Sequence, residues 1–111
     1  MNRWNIPKLL EEEIRSRDKT CIYCGISMTE SASRGVSRKT VATWEHIIND
    51  ATIVTRENIA LCCAPCNSSK GTKILADWMR SDYCKRNGIS ESSVAQIVRQ
   101  ALRVMLPDNH Q

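Results

Sequence analysis

The stretch Cys63-Ala64-Pro65-Cys66-Asn67-Ser68-Ser69-Lys70-Gly71 decides how this chain is read. Its first four residues place two thiols on one tight turn, a knuckle from which paired thiolates grip one tetrahedral ion. A second pair, Cys21-Ile22-Tyr23-Cys24 followed by Gly25, lies upstream, with 38 residues between Cys24 and Cys63. That interval exceeds the ~15 to 20 residues of a simple zinc ribbon, so an ion held by Cys21, Cys24, Cys63 and Cys66 closes a sizeable insertion. Closure is tolerable because its entropic penalty grows only logarithmically with length. A redox Cys-x-x-Cys calls for a βαβ unit, and none is legible here. Cys62 competes with Cys63 through a wider loop, although the two-residue spacing favours Cys63. Cys84, on the apolar edge of an expected helix, reads as a small buried residue.

The rest of the composition explains why a staple is expected. A chain of 111 residues with three Trp, two Tyr and no Phe must build its single domain, residues 1–111, from aliphatic side chains, and small cores of that kind need a metal or disulfides. No run approaches the ~20 apolar residues of a membrane span, and Met1 to Asn5 lacks the apolar core of a secretory signal. The expectation is a soluble, cytoplasmic protein without a membrane partner, whose six Cys are metal ligands or free thiols. The formal net charge is +4, and a zinc bound by four thiolates would bring it to about +2. Arg34, Arg38, Lys39, Lys70, Lys73, Arg80, Lys85, Arg86, Arg99 and Arg103 fit a polyanion partner only weakly, since ordinary solvated faces look the same.

Pro7 and the spacing of Leu9, Leu10 and Ile14 predict an amphipathic helix over about 6–17. Residues 29–40 have no periodicity and read as a loop. Val41 to Ile48 reads as a strand ending in an Asn49-Asp50 turn, and Ile59 to Cys62 as its hairpin partner across a long connection. About Ser68 to Arg86 reads as helical, with Leu75, Trp78, Met79 and Tyr83 inward and Gly88 as C-cap. Ser90 is expected to cap a last helix, 91–106, burying Val94, Ile97, Val98, Ala101, Leu102 and Met105 before Pro107 stops it. The tail 108–111 reads as disordered. The fold class is α+β and mostly helical, a small hairpin core with flanking helices.

The chain has two histidines, His46 and His110. His46, beside Glu45 at the end of the first strand, is the candidate general base, because a neutral imidazole takes a proton from water near neutral pH. Adjacent strand residues point to opposite faces, so Glu45 and His46 need a local twist or bulge to serve one site. A lone histidine on an apolar strand is more often a satisfied structural residue. Beyond it, Asn58, Leu61, Cys63, Cys66, Asn67, Lys70 and Gly71 recur at set spacings.

With Cys21-x-x-Cys24, Trp44-Glu45-His46-Ile47-Ile48, Asn58-Ile59-Ala60-Leu61-Cys62 and Cys63-x-x-Cys66-Asn67-x-x-Lys70-Gly71, the segment 21–71 resembles the HNH endonuclease family. The resemblance implies a ββα-metal fold, with a C-terminal helical extension over about 73–106. It implies His46 as general base, Asn58 as the residue that holds the connecting loop and orients His46, and Glu45 and Asn67 as ligands of one catalytic Mg²⁺ or Mn²⁺. Zn²⁺ would be structural. The implied activity is hydrolysis of DNA phosphodiester bonds to a 5′ phosphate and a 3′ hydroxyl. With one site per chain, a monomer, expected here over a dimer, would nick one strand of double-stranded DNA, and double-strand cleavage would need a dimer or two events. No specificity domain is legible, so weak sequence preference is expected, and Lys70, Lys73, Arg38 and Lys39 are the candidate phosphate contacts. The alternatives are a zinc-stapled nucleic-acid-binding module without catalysis and a protein-interaction zinc domain. Salt-sensitive polynucleotide binding separates the last from the other two.

Overall fold

In the computed structural model, which describes residues 4–30 and 37–105, Pro7 precedes helix α1 (Lys8–Arg17) and its carbonyl accepts from the Glu11 N–H at 2.9 Å. Leu10 and Ile14, one turn apart, form the inward face of α1. Leu9 lies off that stripe and is 81% exposed, so the apolar face is narrower than the spacing of all three residues predicts. After the first cysteine pair, Thr29 bridges to Val41, and a short 3₁₀ turn at Arg38–Thr40 leads into Val41; residues 31–36 of the loop expected over 29–40 lie outside the described residues.

Strands β1 (Ala42–His46) and β2 (Ile59–Cys63) pair antiparallel, from Ala42 opposite Cys63 to His46 opposite Ile59. β1 stops short of the expected Ile48 because Asn58 takes hold of the chain there. The Ile47 N–H bonds the Asn58 carbonyl at 3.0 Å, and the Ile48 N–H bonds its side-chain oxygen at 2.6 Å. Alternation gives the hairpin two faces. Ala42, Trp44, Ile59 and Leu61 pack with Ile6, Leu10 and Ile14 on the α1 side. Ala60 and Cys62 join the larger core with Tyr23, Leu75, Trp78 and Val98 on the other.

Helix α2 (Ala64–Lys70) follows β2 directly and packs against both strands. It begins four residues before the expected Ser68, since Pro65 sits in its first turn, where the missing N–H is harmless. The predicted helix over 68–86 is in fact three short ones. Gly71, at φ +51°, turns the chain after α2, α3 is only Leu75–Trp78, and Ser81 starts α4 (Asp82–Arg86) by accepting from the Cys84 N–H at 3.3 Å. Leu75 and Trp78 are buried and Met79 and Tyr83 pack against them, as their spacing predicts.

Helix α5 (Gln96–Met105) starts later than the predicted residue 91. The Ser93 hydroxyl bonds the carbonyls of Gly88 and Ser90, which holds 90–93 in turns. The Ala95 N–H then reaches the Ile22 carbonyl at 2.9 Å, anchoring the helix entry on the first cysteine knuckle. Val94, Val98, Ala101 and Leu102 are buried. Arg34, the Met105 side chain, Pro107, His110 and the tail 108–111 lie outside the described residues. Among the described residues no helix is long and apolar enough to cross a membrane.

Candidate functional site

The two knuckles converge. Cys21 and Cys24 come from the turn after α1, Cys63 closes β2 and Cys66 lies in the first turn of α2. Their four sulfurs all lie within 4.8 Å of one another. Cys24 Sγ and Cys63 Sγ are 3.7 Å apart, close to the about 3.8 Å edge of a tetrahedron built on ~2.3 Å zinc–sulfur bonds. The N–H groups of Tyr23 and Cys24 point at Cys21 Sγ, at 3.4 and 3.5 Å, and the Tyr83 hydroxyl donates to Cys66 Sγ at 3.3 Å. Donors of this kind orient thiolates toward an ion. Hydrogen bonding from Cys66 holds the Cys21 thiol down at about 5, whereas burial lifts that of Cys63 to about 12. The donor set fits Zn²⁺, and loading it releases thiol protons. Among the described residues no other group of His, Cys, Asp and Glu converges on an ion.

Cys62 takes no part. Its side chain faces away from the cluster toward Thr43, whose hydroxyl lies 3.8 Å from the Cys62 sulfur, and burial pushes its thiol far up. Cys84 is buried in the larger core, the place its apolar surroundings predict.

Glu45 and His46 diverge. The β1–β2 register runs unbroken through Glu45 opposite Ala60 and His46 opposite Ile59, so the bulge that would bring both side chains to one side is absent from this hairpin. Glu45, only 5% exposed, turns toward α2. Its Oε2 accepts from the Tyr23 hydroxyl at 2.5 Å and pairs with Lys70 Nζ at 3.0 Å. Burial raises the Glu45 carboxyl above the ordinary glutamate range, against the pull of Lys70 and Tyr23. Burial also raises Tyr23 well above the ordinary phenol.

His46 turns to the α1 side, where the Trp4 ring meets it edge-on at 4.9 Å between centroids. Its Nε2 is the one buried side-chain nitrogen or oxygen among the described residues that has no hydrogen-bond partner. Burial, then the charge of Lys70, lowers the His46 pKa below its ordinary 6.5, with Asp50 pulling the other way. The ring is therefore neutral near pH 7.

Asn58 is 3% exposed and clamps the connecting loop. Besides accepting from Ile48, its amide donates to the carbonyls of Ile48 and Ile53 at 3.2 and 3.1 Å. Asn67, on α2, donates to Thr43 Oγ1 at 2.9 Å and to the Trp44 carbonyl at 3.0 Å, which pins the helix across β1. Lys70, expected at a phosphate, instead turns inward to Glu45 and donates to the His46 carbonyl at 3.3 Å. Lys73 is exposed and bonds the Ser69 carbonyl. Arg38 and Lys39 are exposed on the 3₁₀ turn, which packs beside α2.

Glu45 and Asn67, as arranged, do not offer a divalent-ion site. Glu45 Oε2 is shared by the Tyr23 hydroxyl and the Lys70 ammonium, which puts a cation where an ion would lie, and Asn67 fixes its amide nitrogen, which is not a metal ligand, on β1. Sequence reading missed the partnership of Tyr23 and Lys70 with Glu45. A signal for half of it exists: Asn67 and Lys70 are three apart on one helix face, so a helix that lays Asn67 on β1 lays Lys70 there too. Compared with protein-family models, curated proteins and solved structures, the chain matches none.

Proposed function

We propose that this chain is a metal-dependent DNA endonuclease of the HNH kind, a ββα-metal unit held together by a structural Zn²⁺ at Cys21, Cys24, Cys63 and Cys66. The observation that carries the reading is the unpartnered Nε2 of His46 at the end of β1. Leaving a buried polar atom unbonded costs about 1 to 3 kcal/mol, and such an atom in a folded protein calls for a use. A histidine kept only for packing has no need of a bare nitrogen.

In this reading His46, neutral near pH 7, takes the proton of the water whose oxygen attacks the scissile phosphorus. The 3′ oxygen leaves, giving a 5′ phosphate and a 3′ hydroxyl. Asn58 contributes by fixing the backbone that follows His46, and so the direction of the ring. Arg38, Lys39 and Lys73, exposed about α2, supply phosphate contacts that position the duplex without reading its bases. One site per chain gives a nick.

A supercoiled-plasmid assay in Mg²⁺ or Mn²⁺, against EDTA, tests this. Open-circle product from wild type and none from a zinc-loaded, folded His46→Ala protein is the expected result. The sealed state of Glu45 favours a second reading, a zinc-stapled nucleic-acid-binding module without catalysis. That reading gains if folded, zinc-loaded wild type binds DNA with a steep salt dependence yet yields no product.

A further inference from the structure

Nε2 of His46 is buried as well as unbonded, and a base acts only on a proton it can reach, directly or through one water. Some group over the ring must therefore move before the base can work. The hairpin beneath is fixed, since His46 pairs in register with Ile59, which is fully buried. Against the imidazole lies the ring of Trp4, edge-on at 4.9 Å between centroids. Trp4 is half-buried and belongs to the chain ahead of α1, where residues 4–7 lie in no helix or strand. Segments of that kind open at far smaller cost than the elements of a core.

We propose that Trp4 is a removable cap on His46: its indole closes the base in the resting protein, and DNA reaches Nε2 only after the arm bearing Trp4 has swung away. The inference rests on the nuclease reading for the reaction that the base serves. The arm has an anchor and a pivot. Ile6 is buried with Ile14, Ile59 and Leu61, and the Pro7 carbonyl is bonded by the Glu11 N–H of α1. Between that anchor and the cap stands Asn5, exposed and at φ +58°, the one non-glycine residue with a positive φ among the described residues. Asparagine enters this left-handed region at a modest cost that ordinary backbone does not carry. The fold-back is therefore held by the contacts of Trp4 and not by the preference of the backbone, and turning Asn5 to a negative φ lifts the indole. Ile6 keeps the rest of the small core closed while the arm moves.

The test compares full-length, zinc-loaded wild type with Trp4→Ala, first without DNA. The reporter is the His46 Hδ2 proton, on the carbon next to Nε2, and the probe is a neutral, soluble gadolinium chelate, which speeds the NMR relaxation of protons that solvent reaches. Trp4→Ala should raise the paramagnetic relaxation of Hδ2 severalfold. At limiting plasmid it should also nick about tenfold faster, because wild type acts only from an open state populated to about a tenth or less. An Hδ2 no more exposed than in wild type overturns the inference, and so does an exposed Hδ2 in a variant that nicks no faster than an active wild type. Should Trp4→Ala fail to fold, Asn5→Pro serves. Proline is locked near a φ of about −65°, so the arm cannot fold back although the indole is intact, and Hδ2 should again be exposed. An Hδ2 still shielded in folded Asn5→Pro overturns the inference. The two failures are distinct. A protein that nicks equally well with and without Trp4 loses this inference alone, and one in which Hδ2 opens while neither wild type nor Trp4→Ala nicks DNA loses the nuclease reading alone.

Discussion

On the side of the hairpin that faces α2, Thr43 and Glu45 are tied into bonds with Asn67, Tyr23 and Lys70. On the side that faces α1, Trp44, Ile59 and Leu61 pack as an apolar layer and His46 keeps a buried nitrogen without a partner. The strands are the same on both sides. What differs is completeness: the α2 side is a closed polar network, and the α1 side is open at one atom. A closed network contributes to stability and leaves little to react, whereas an unfinished one destabilises the fold slightly and leaves a base available.

The most severe way to break the comparison removes the support both faces share. Cys24→Ser, or chelation of the metal, should abolish cooperative folding, because zinc affinity in small domains is folding free energy of on the order of 10 kcal/mol. Thermal melts with metal analysis check it, and a zinc-free Cys24→Ser protein that melts like wild type would refute the staple. Next in size is the closed face. Glu45→Ala strands the Lys70 ammonium and should lower stability by about 3 to 5 kcal/mol in urea unfolding, while Glu45→Gln with Lys70→Met together should recover much of the loss.

The open face should respond with the opposite sign. His46→Phe replaces an unbonded nitrogen by an apolar ring and should raise stability by about 1 kcal/mol, and under the proposed nuclease function it should yield no open-circle product. A large loss of stability in that variant would mean that His46 is structural. His46 also gives the open face a pH signature. Because its folded pKa lies below the ordinary 6.5, the neutral ring's contribution is fully present above pH 6.5 and is lost as pH falls through the lowered folded value. An NMR titration of the His46 ring should give a midpoint below 6.5, and His46→Phe should flatten this limb of the stability profile. The smallest effect belongs to Tyr83→Phe, which removes a donor to Cys66 Sγ. It should leave the melting curve close to wild type and weaken zinc affinity by about tenfold, measured by competition with a chelator.

Much of the scaffold was legible in the residues. The hairpin follows from β-branched and aromatic runs, the inward face of α5 from its three-and-four spacing, and the metal cluster from two knuckles each closed by local turns. The divergence of Glu45 and His46 was half legible: alternation predicts it, and the paired register leaves no bulge to undo it. The division of 68–86 into three helices was not, because Gly71 and Ser81 act as breaks only in company with the burial of Trp78, whose Nε1 bonds Ser69 across the gap. Lys70 misled for a related reason. A lysine near a helix end reads as solvated until the helix is known to lie across a buried carboxylate.

The two cysteine pairs, the alternating strand and the amphipathic last helix are properties of near neighbours along the chain, where bond geometry and periodicity act directly, and the residues alone specify them. The sealing of Glu45 and the exposure of Leu9 depend on contacts between distant segments. Tyr23 meets Glu45 across 22 residues of chain and Lys70 reaches the His46 backbone across 24. Such contacts exist only once the knuckles, the hairpin and α2 have packed, because desolvation and counter-charge are set by what surrounds a side chain and not by what adjoins it.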